Sequence, residues 1–123
     1  MTGSIGDPPQ ATASKFVVII VRRIRLAVGA DIDRTLDFNL TRVFGPATEH
    51  ALLQFKLTND DVVELAVDLG AYNSVRRYSS GSEQTVHEVI DTGVRSGANR
   101  LTFAVREGSC TISNVVIWHQ VRP

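Results

Sequence analysis

The sequence predicts an all-β protein, an antiparallel β-sandwich of jelly-roll type with about eight strands. Apolar residues recur with a period of two in one segment after another, and β-branched and aromatic side chains fill many of the apolar positions. Clusters of Gly, Asn, Asp and Ser part these segments at roughly 8 to 14 residue intervals, the spacing expected of a sandwich or barrel. The chain has 123 residues and is 43% hydrophobic, enough for one domain to bury a core without metal or disulfide staples.

Residues 1–14 combine Gly, Pro, Ser and Thr with little apolar content, so a disordered tail is expected there and a single domain over 15–123. Phe16 to Val21 is strongly β-branched, and Ile24, Leu26 and Val28 continue its alternation, which predicts one strand from Lys15 to Val28. Gly29 to Arg34 turns the chain. Leu36, Phe38 and Leu40 then alternate with Asp37, Asn39 and Thr41 in a half-buried strand that Gly45-Pro46 ends. Leu53, Phe55 and Leu57 mark the next strand, and Asn59-Asp60-Asp61 turns it into Val63, Leu65, Val67 and Leu69, read as a hairpin.

From Gly70 to Ser82 the pattern weakens, and either a short edge strand or a long loop fits. Residues 83–91 alternate at Thr85, His87 and Val89 and also place Val86, Val89 and Ile90 at helical spacing; the flanking strands favour a strand. The last quarter is the clearest. Gly97, Ala98 and Asn99 turn the chain, Leu101, Phe103 and Val105 face a core, Glu107-Gly108-Ser109 turns again, and Ile112 to Val121 closes the domain. The glycine turn between these two strands makes a hairpin or a sheet-to-sheet crossover.

Val86 to Ile90, followed by Gly97-x-Asn99-x-Leu101-x-Phe103-x-Val105, a glycine turn and Ile112 to Trp118, resembles the galactose-binding-like β-sandwich. That jelly-roll architecture is shared by many carbohydrate-binding modules and by accessory domains of larger enzymes. The resemblance covers the C-terminal third strongly, and the strands from Lys15 to Leu69 agree in number and length. It rests on turn and core positions, so it carries over no binding residue. It implies a non-catalytic, carbohydrate-binding-like module that holds a glycan or small polar ligand on a sheet face or loop rim. The alternative is a structural or protein-interaction domain, able to form a homo-oligomer, with no small-molecule ligand.

Composition narrows the partners. Thirteen basic and thirteen acidic residues cancel, so no global field draws the chain to nucleic acid or an anionic membrane. Arg22, Arg23 and Arg25 are the densest basic cluster, and outward arginines beside inward Ile24 and Leu26 are ordinary sandwich patterning. The only long apolar run is broken by Arg22, so no membrane span is read, and MTGSIGDPPQ lacks the features of a signal peptide, which sets the expectation at cytoplasmic.

Candidate ligand-binding residues follow from the way sugars are recognised, by stacking of C–H faces on aromatic rings with polar groups alongside. Tyr72, Asn73, Arg76, Arg77 and Tyr78 put two phenols among donors in one segment, and Trp118 with His119 supplies the indole and an imidazole. No cofactor is expected. His50, His87 and His119 have no metal-ligand spacing, and Asp31, Asp33 and Asp37 lack the glycine and closing glutamate of a calcium loop. No catalytic residue is read, since the serines of Ser79-Ser80-Gly81-Ser82 sit in no nucleophile motif.

Overall fold

The computed structural model describes residues 13–28, 33–40, 51–79, 81–90 and 94–121, and among them there are strands and turns but no helix. The strands are β1 (Ala13–Ile20), β2 (Ile24–Ala27), β3 (Asp33–Leu40), β4 (Ala51–Asn59), β5 (Val63–Leu69), β6 (Tyr72–Tyr78), β7 (Gly81–Ile90), β8 (Gly97–Glu107) and β9 (Ser109–Val121). Sheet A has the order β1-β9-β4-β7, with β2 also on β9, and sheet B has the order β3-β8-β5-β6. All pairings are antiparallel.

Alternation decides what lies between the sheets. Leu53, Phe55 and Leu57 of β4 and Ile112, Val115 and Ile117 of β9 are buried from one side. Val63, Leu65, Val67 and Leu69 of β5 and Leu101, Phe103 and Val105 of β8 are buried from the other. The two layers meet at Phe55 and Phe103, whose rings pack edge to face with centroids 5.2 Å apart. Such a pair joins the sheets by area burial and by the fit of ring edge to ring face.

One connection differs from expectation, and a second settles between the two expected forms. The turn Asn59-Asp60-Asp61 does not make a hairpin, because β4 pairs with β7 and β9 while β5 pairs with β6 and β8. It is an arch between sheets, which sets the apolar rows of β4 and β5 on opposite walls of the core. Buried Asn59 holds it, donating from Nδ2 to the Asp61 carbonyl at 2.7 Å and to the Ser79 carbonyl at 2.9 Å. The turn at Gly108 resolves as the second arch, from β8 in sheet B to β9 in sheet A. Gly108 has φ +80°, and a Cβ there would run into the Val62 carbonyl oxygen, so the second arch nests directly on the first.

The strand expected from Lys15 to Val28 is two strands. β1 and β2 pair with successive parts of β9, and the chain breaks at Val21, Arg22 and Arg23. The cause lies on the partner, where Asn114 has φ +50° and donates its N–H to the Val21 carbonyl at 3.2 Å. Register shifts flank this point on both neighbours of β9, the mark of a bulge that bends the sheet. The weakly patterned segment after Gly70 forms edge strand β6, hairpinned to β5, and residues 81–90 are strand β7. Strand β1 starts at Ala13, inside the expected tail; residues 1–12, Asp31, Gly45, Pro46 and His50 lie outside the described residues.

Candidate functional site

The outer face of sheet A carries an apolar row that crosses four strands. Phe16 of β1 is in register with Trp118 of β9, Trp118 with Leu52 of β4, and Leu52 with Val89 of β7. Three inter-strand steps make this row roughly 14 Å long. Phe16 is 56% exposed, Trp118 37% and Val89 65%, although burial would ordinarily claim residues of this kind. Phe16 and Trp118 touch, with ring centroids 4.9 Å apart and planes tilted by 42°.

Polarity rises along the strands from there. The next row runs Val18, Val116, Gln54 and His87, and Lys56 and Thr85 are in register beyond Gln54 and His87. Lys56 Nζ lies 3.7 Å from Glu83 Oε1, an exposed pair that keeps this margin charged. The face thus offers an aromatic surface beside amide, imidazole and ammonium groups. Its opposite number on sheet B is quite different: Thr35 and Thr102 share a hydrogen bond, Asp37 accepts from Arg100, and Arg77 pairs with Glu107. Arg77 holds the Glu107 carboxyl below the usual carboxylate range through that bond.

The seven sequence-predicted residues fall in several places. Tyr72, Arg76 and Tyr78 share the side of β6 that meets β7, the two tyrosines half-buried and Arg76 exposed, and there Glu88 is only 2% exposed. Tyr72 Oη donates to Glu88 Oε1 at 2.7 Å, Ser74 Oγ donates to the same oxygen at 2.6 Å, and Arg76 Nε lies 3.6 Å away. This polar clasp joins the free edges of the two sheets and gathers two hydrogen bonds and an arginine on one oxygen of a buried carboxylate, Oε1, while Oε2 has no hydrogen-bond partner among the described residues. Burial and then the Glu88 hydrogen bond raise the Tyr72 phenol, and burial pushes Tyr78 up to about 12.

Asn73 and Arg77, at alternate positions of β6, face outward on sheet B. Trp118 is on the outer face of sheet A, while His119 next to it is buried and not a rim residue, because alternation turns it to the inner side. The structure therefore brings Tyr72, Arg76 and Tyr78 together and separates them from Trp118, His119 and the Asn73 and Arg77 pair. Phe16, Leu52, Gln54, His87 and Val89 were not singled out by sequence. Each shows an outward position in its own strand, but only the strand pairing assembles them. Cys110 is buried, and burial pushes its thiol up to about 11, which suits packing and not nucleophilic attack. Among the described residues no three His, Cys, Asp or Glu side chains cluster as metal ligands.

Solved structures share this arrangement of strands. The C-terminal family 6 carbohydrate-binding module of the laminarinase LamC from Zobellia galactanivorans matches with a TM-score of 0.50 and 14% identity, over 87% of this chain and 99% of that one. The fold is that of carbohydrate-binding-module β-sandwiches. A family 36 module of a xylanase from the hindgut metagenome of Trinervitermes trinervoides matches with a TM-score of 0.52 and 8% identity, over 86% of this chain and 96% of that one. Dimeric latent PorU from Porphyromonas gingivalis gives a TM-score of 0.62 at 9% identity over 90% of this chain, which spans only 13% of PorU. No protein-family model and no curated protein sequence matches the chain.

Proposed function

We propose that this domain is a non-catalytic glycan-binding module that receives its ligand on the outer face of sheet A, with Trp118 as the main stacking surface. The observation that carries the reading is the exposed row Phe16, Trp118, Leu52 and Val89 beside Gln54, His87 and Lys56. Sugar rings are amphipathic in the same sense, with C–H faces for an aromatic ring and hydroxyls for amide and ammonium groups. The row is long enough for more than one ring. The shared fold with carbohydrate-binding modules supports the reading by analogy only. In this reading Tyr72 and Arg76 serve the clasp on Glu88, Tyr78 packs against the core, and Asn73 and Arg77 serve the solvated face of sheet B.

A second reading, a protein-interaction or self-association surface, is favoured by the exposed aliphatic residues of this face, Val89 in the row and Val18 in the next one, which offer a ligand no hydrogen bond. The exposed apolar patch is on the order of a few hundred Å², short of the roughly 800 Å² per partner of a standard stable interface. That comparison favours the glycan. A glycan array with the wild type and Trp118→Ala decides between them. We expect one class of glycan to bind and the variant to lose at least about tenfold in affinity, as for a stacked aromatic anchor. Because Trp118 is partly exposed, its melting temperature should stay within a few degrees. A wild type that binds nothing on the array and elutes as a dimer by light scattering would favour the second reading.

A further inference from the structure

At the end of sheet B a groove of about 410 Å³ opens between the β5–β6 turn and the start of β8. Gly70 and Ala71 form one wall and leave it without bulk; Arg95, Asn99 and Arg100 form the other. An adjoining hollow shares Arg95, Asn99 and Arg100 and reaches Asp37. Both arginines are held in the same manner. Arg95 Nε donates to the Ala98 carbonyl at 3.2 Å, and Arg100 Nε donates to Asp37 Oδ1 at 2.9 Å.

The loop under Arg95 is fixed as well. Buried Asn99 accepts the Arg95 N–H at Oδ1 and donates from Nδ2 to the Arg95 carbonyl at 2.8 Å and the Gly97 carbonyl at 3.2 Å. Each guanidinium is thus anchored by one edge, and no hydrogen bond to another described residue occupies its Nη pair. A planar fork with that pair open fits two oxygens of one anion, and anchoring reduces the entropy lost when it binds. Among the described residues Asp37 is the one carboxylate on this lining, set against the two cations Arg95 and Arg100.

We infer that this groove is an anion subsite that takes the acidic substituent of a sugar, the carboxylate of a uronic acid or a sulfate ester, between Arg95 and Arg100. The glycan class rests on the function proposed above; the anion subsite rests on the groove itself. Groove and aromatic row occupy the same end of the sandwich, since Tyr72, next to Ala71, reaches Glu88 near the end of β7.

The test is a titration of the isotope-labelled full chain with sodium glucuronate, glucose 6-sulfate and glucose, followed by amide chemical shifts. We expect an acidic sugar to move Ala71, Arg95 and Asn99 and glucose to leave them in place. Arg95→Ala and Arg100→Ala should each weaken the response by about tenfold or more, as for hydrogen bonds to a charged group. Both side chains are exposed, so the variants should fold normally. A response to glucuronate alone assigns a carboxylate, and one to the sulfate alone assigns a sulfate ester. No shift in the groove with either acid, or unchanged binding by both arginine variants, overturns the inference. If array binding then persists and depends on Trp118, the glycan reading survives that failure. A groove response with no glycan bound on any array would retain the subsite and remove the reading.

Discussion

Replacing Phe103 by alanine tests the way the two sheets are joined. Phe103 is fully buried at the middle of β8 and meets Phe55 of the opposite sheet edge to face. Truncation removes the transfer free energy of the ring and leaves a cavity between two hydrogen-bonded sheets that cannot close over it, a loss of about 3–5 kcal/mol. Unfolding entropy near 2.1 cal/mol/K per residue gives a chain of this length about 0.26 kcal/mol/K, so the melting temperature should fall by roughly 12–20 °C. Calorimetry reads the shift directly, and urea unfolding should show a lower midpoint at an unchanged slope. A fall of less than about 5 °C by the same conversion would refute the reasoning, since it would mean that the sheets collapse freely around the missing ring. Pairing the variant with Phe55→Leu in a double-mutant cycle should give a coupling of about 0.5–1.5 kcal/mol if the edge-to-face contact has the energy assigned to it.

Two further outcomes follow from the arches and the clasp. Gly108→Ala should cost about 2–4 kcal/mol, because it adds a positive-φ penalty to overlap with the Val62 carbonyl; a midpoint equal to wild type would show that the arches do not nest. The chain has only two tyrosines, and both phenols are raised above the ordinary 10.0, Tyr78 to about 12. The folded chain therefore keeps protons that the unfolded chain releases, so this contribution to stability is whole below pH 10 and is lost as pH rises through about 12. An absorbance titration of the folded protein should place the Tyr78 transition at about 12 and that of Tyr72 above the ordinary 10.0; a full two-tyrosine step at pH 10 would contradict the burial of Tyr78.

Much of the fold was legible because period two reports the inward face of a strand directly. Leu101, Phe103 and Val105 are buried as their alternation requires, as are Ile24 and Leu26 beside the exposed arginines. Sheet membership was not legible, since a two-sided turn such as Asn59-Asp60-Asp61 serves a hairpin or an arch equally well. What selects the arch is burial of Asn59 against the carbonyls of residues near Ser79, a contact between distant segments. The site suffered from the same limit. Trp118 was visible as an aromatic, but its partner Phe16 comes from the other end of the described chain, and His119 follows Trp118 in sequence yet faces the core. Tyr72 and Tyr78 drew notice by composition, and their clasp partner Glu88 looked like any strand carboxylate.

The placement of β9 has a bearing on how this chain is made. It is the latest of the described strands in sequence and the one to which β1, β2 and β4 all pair. On a ribosome, β2 must wait for Ser109 to Ile112 and β1 for Val115 to Val121 before their backbone groups can find their partners. The β5–β6 hairpin of sheet B and the β4–β7 pair of sheet A are complete by Ile90, whereas β3 waits for β8 much as β1 and β2 wait for β9. Vectorial synthesis therefore leaves the Phe16 end of the aromatic row until last, with non-local pairing of this kind setting folding times of roughly milliseconds to seconds. During that interval the β-branched stretch from Phe16 to Val21 is the segment most exposed to pairing with a neighbouring nascent chain, and Arg22 and Arg23 stand at its end as charged guards.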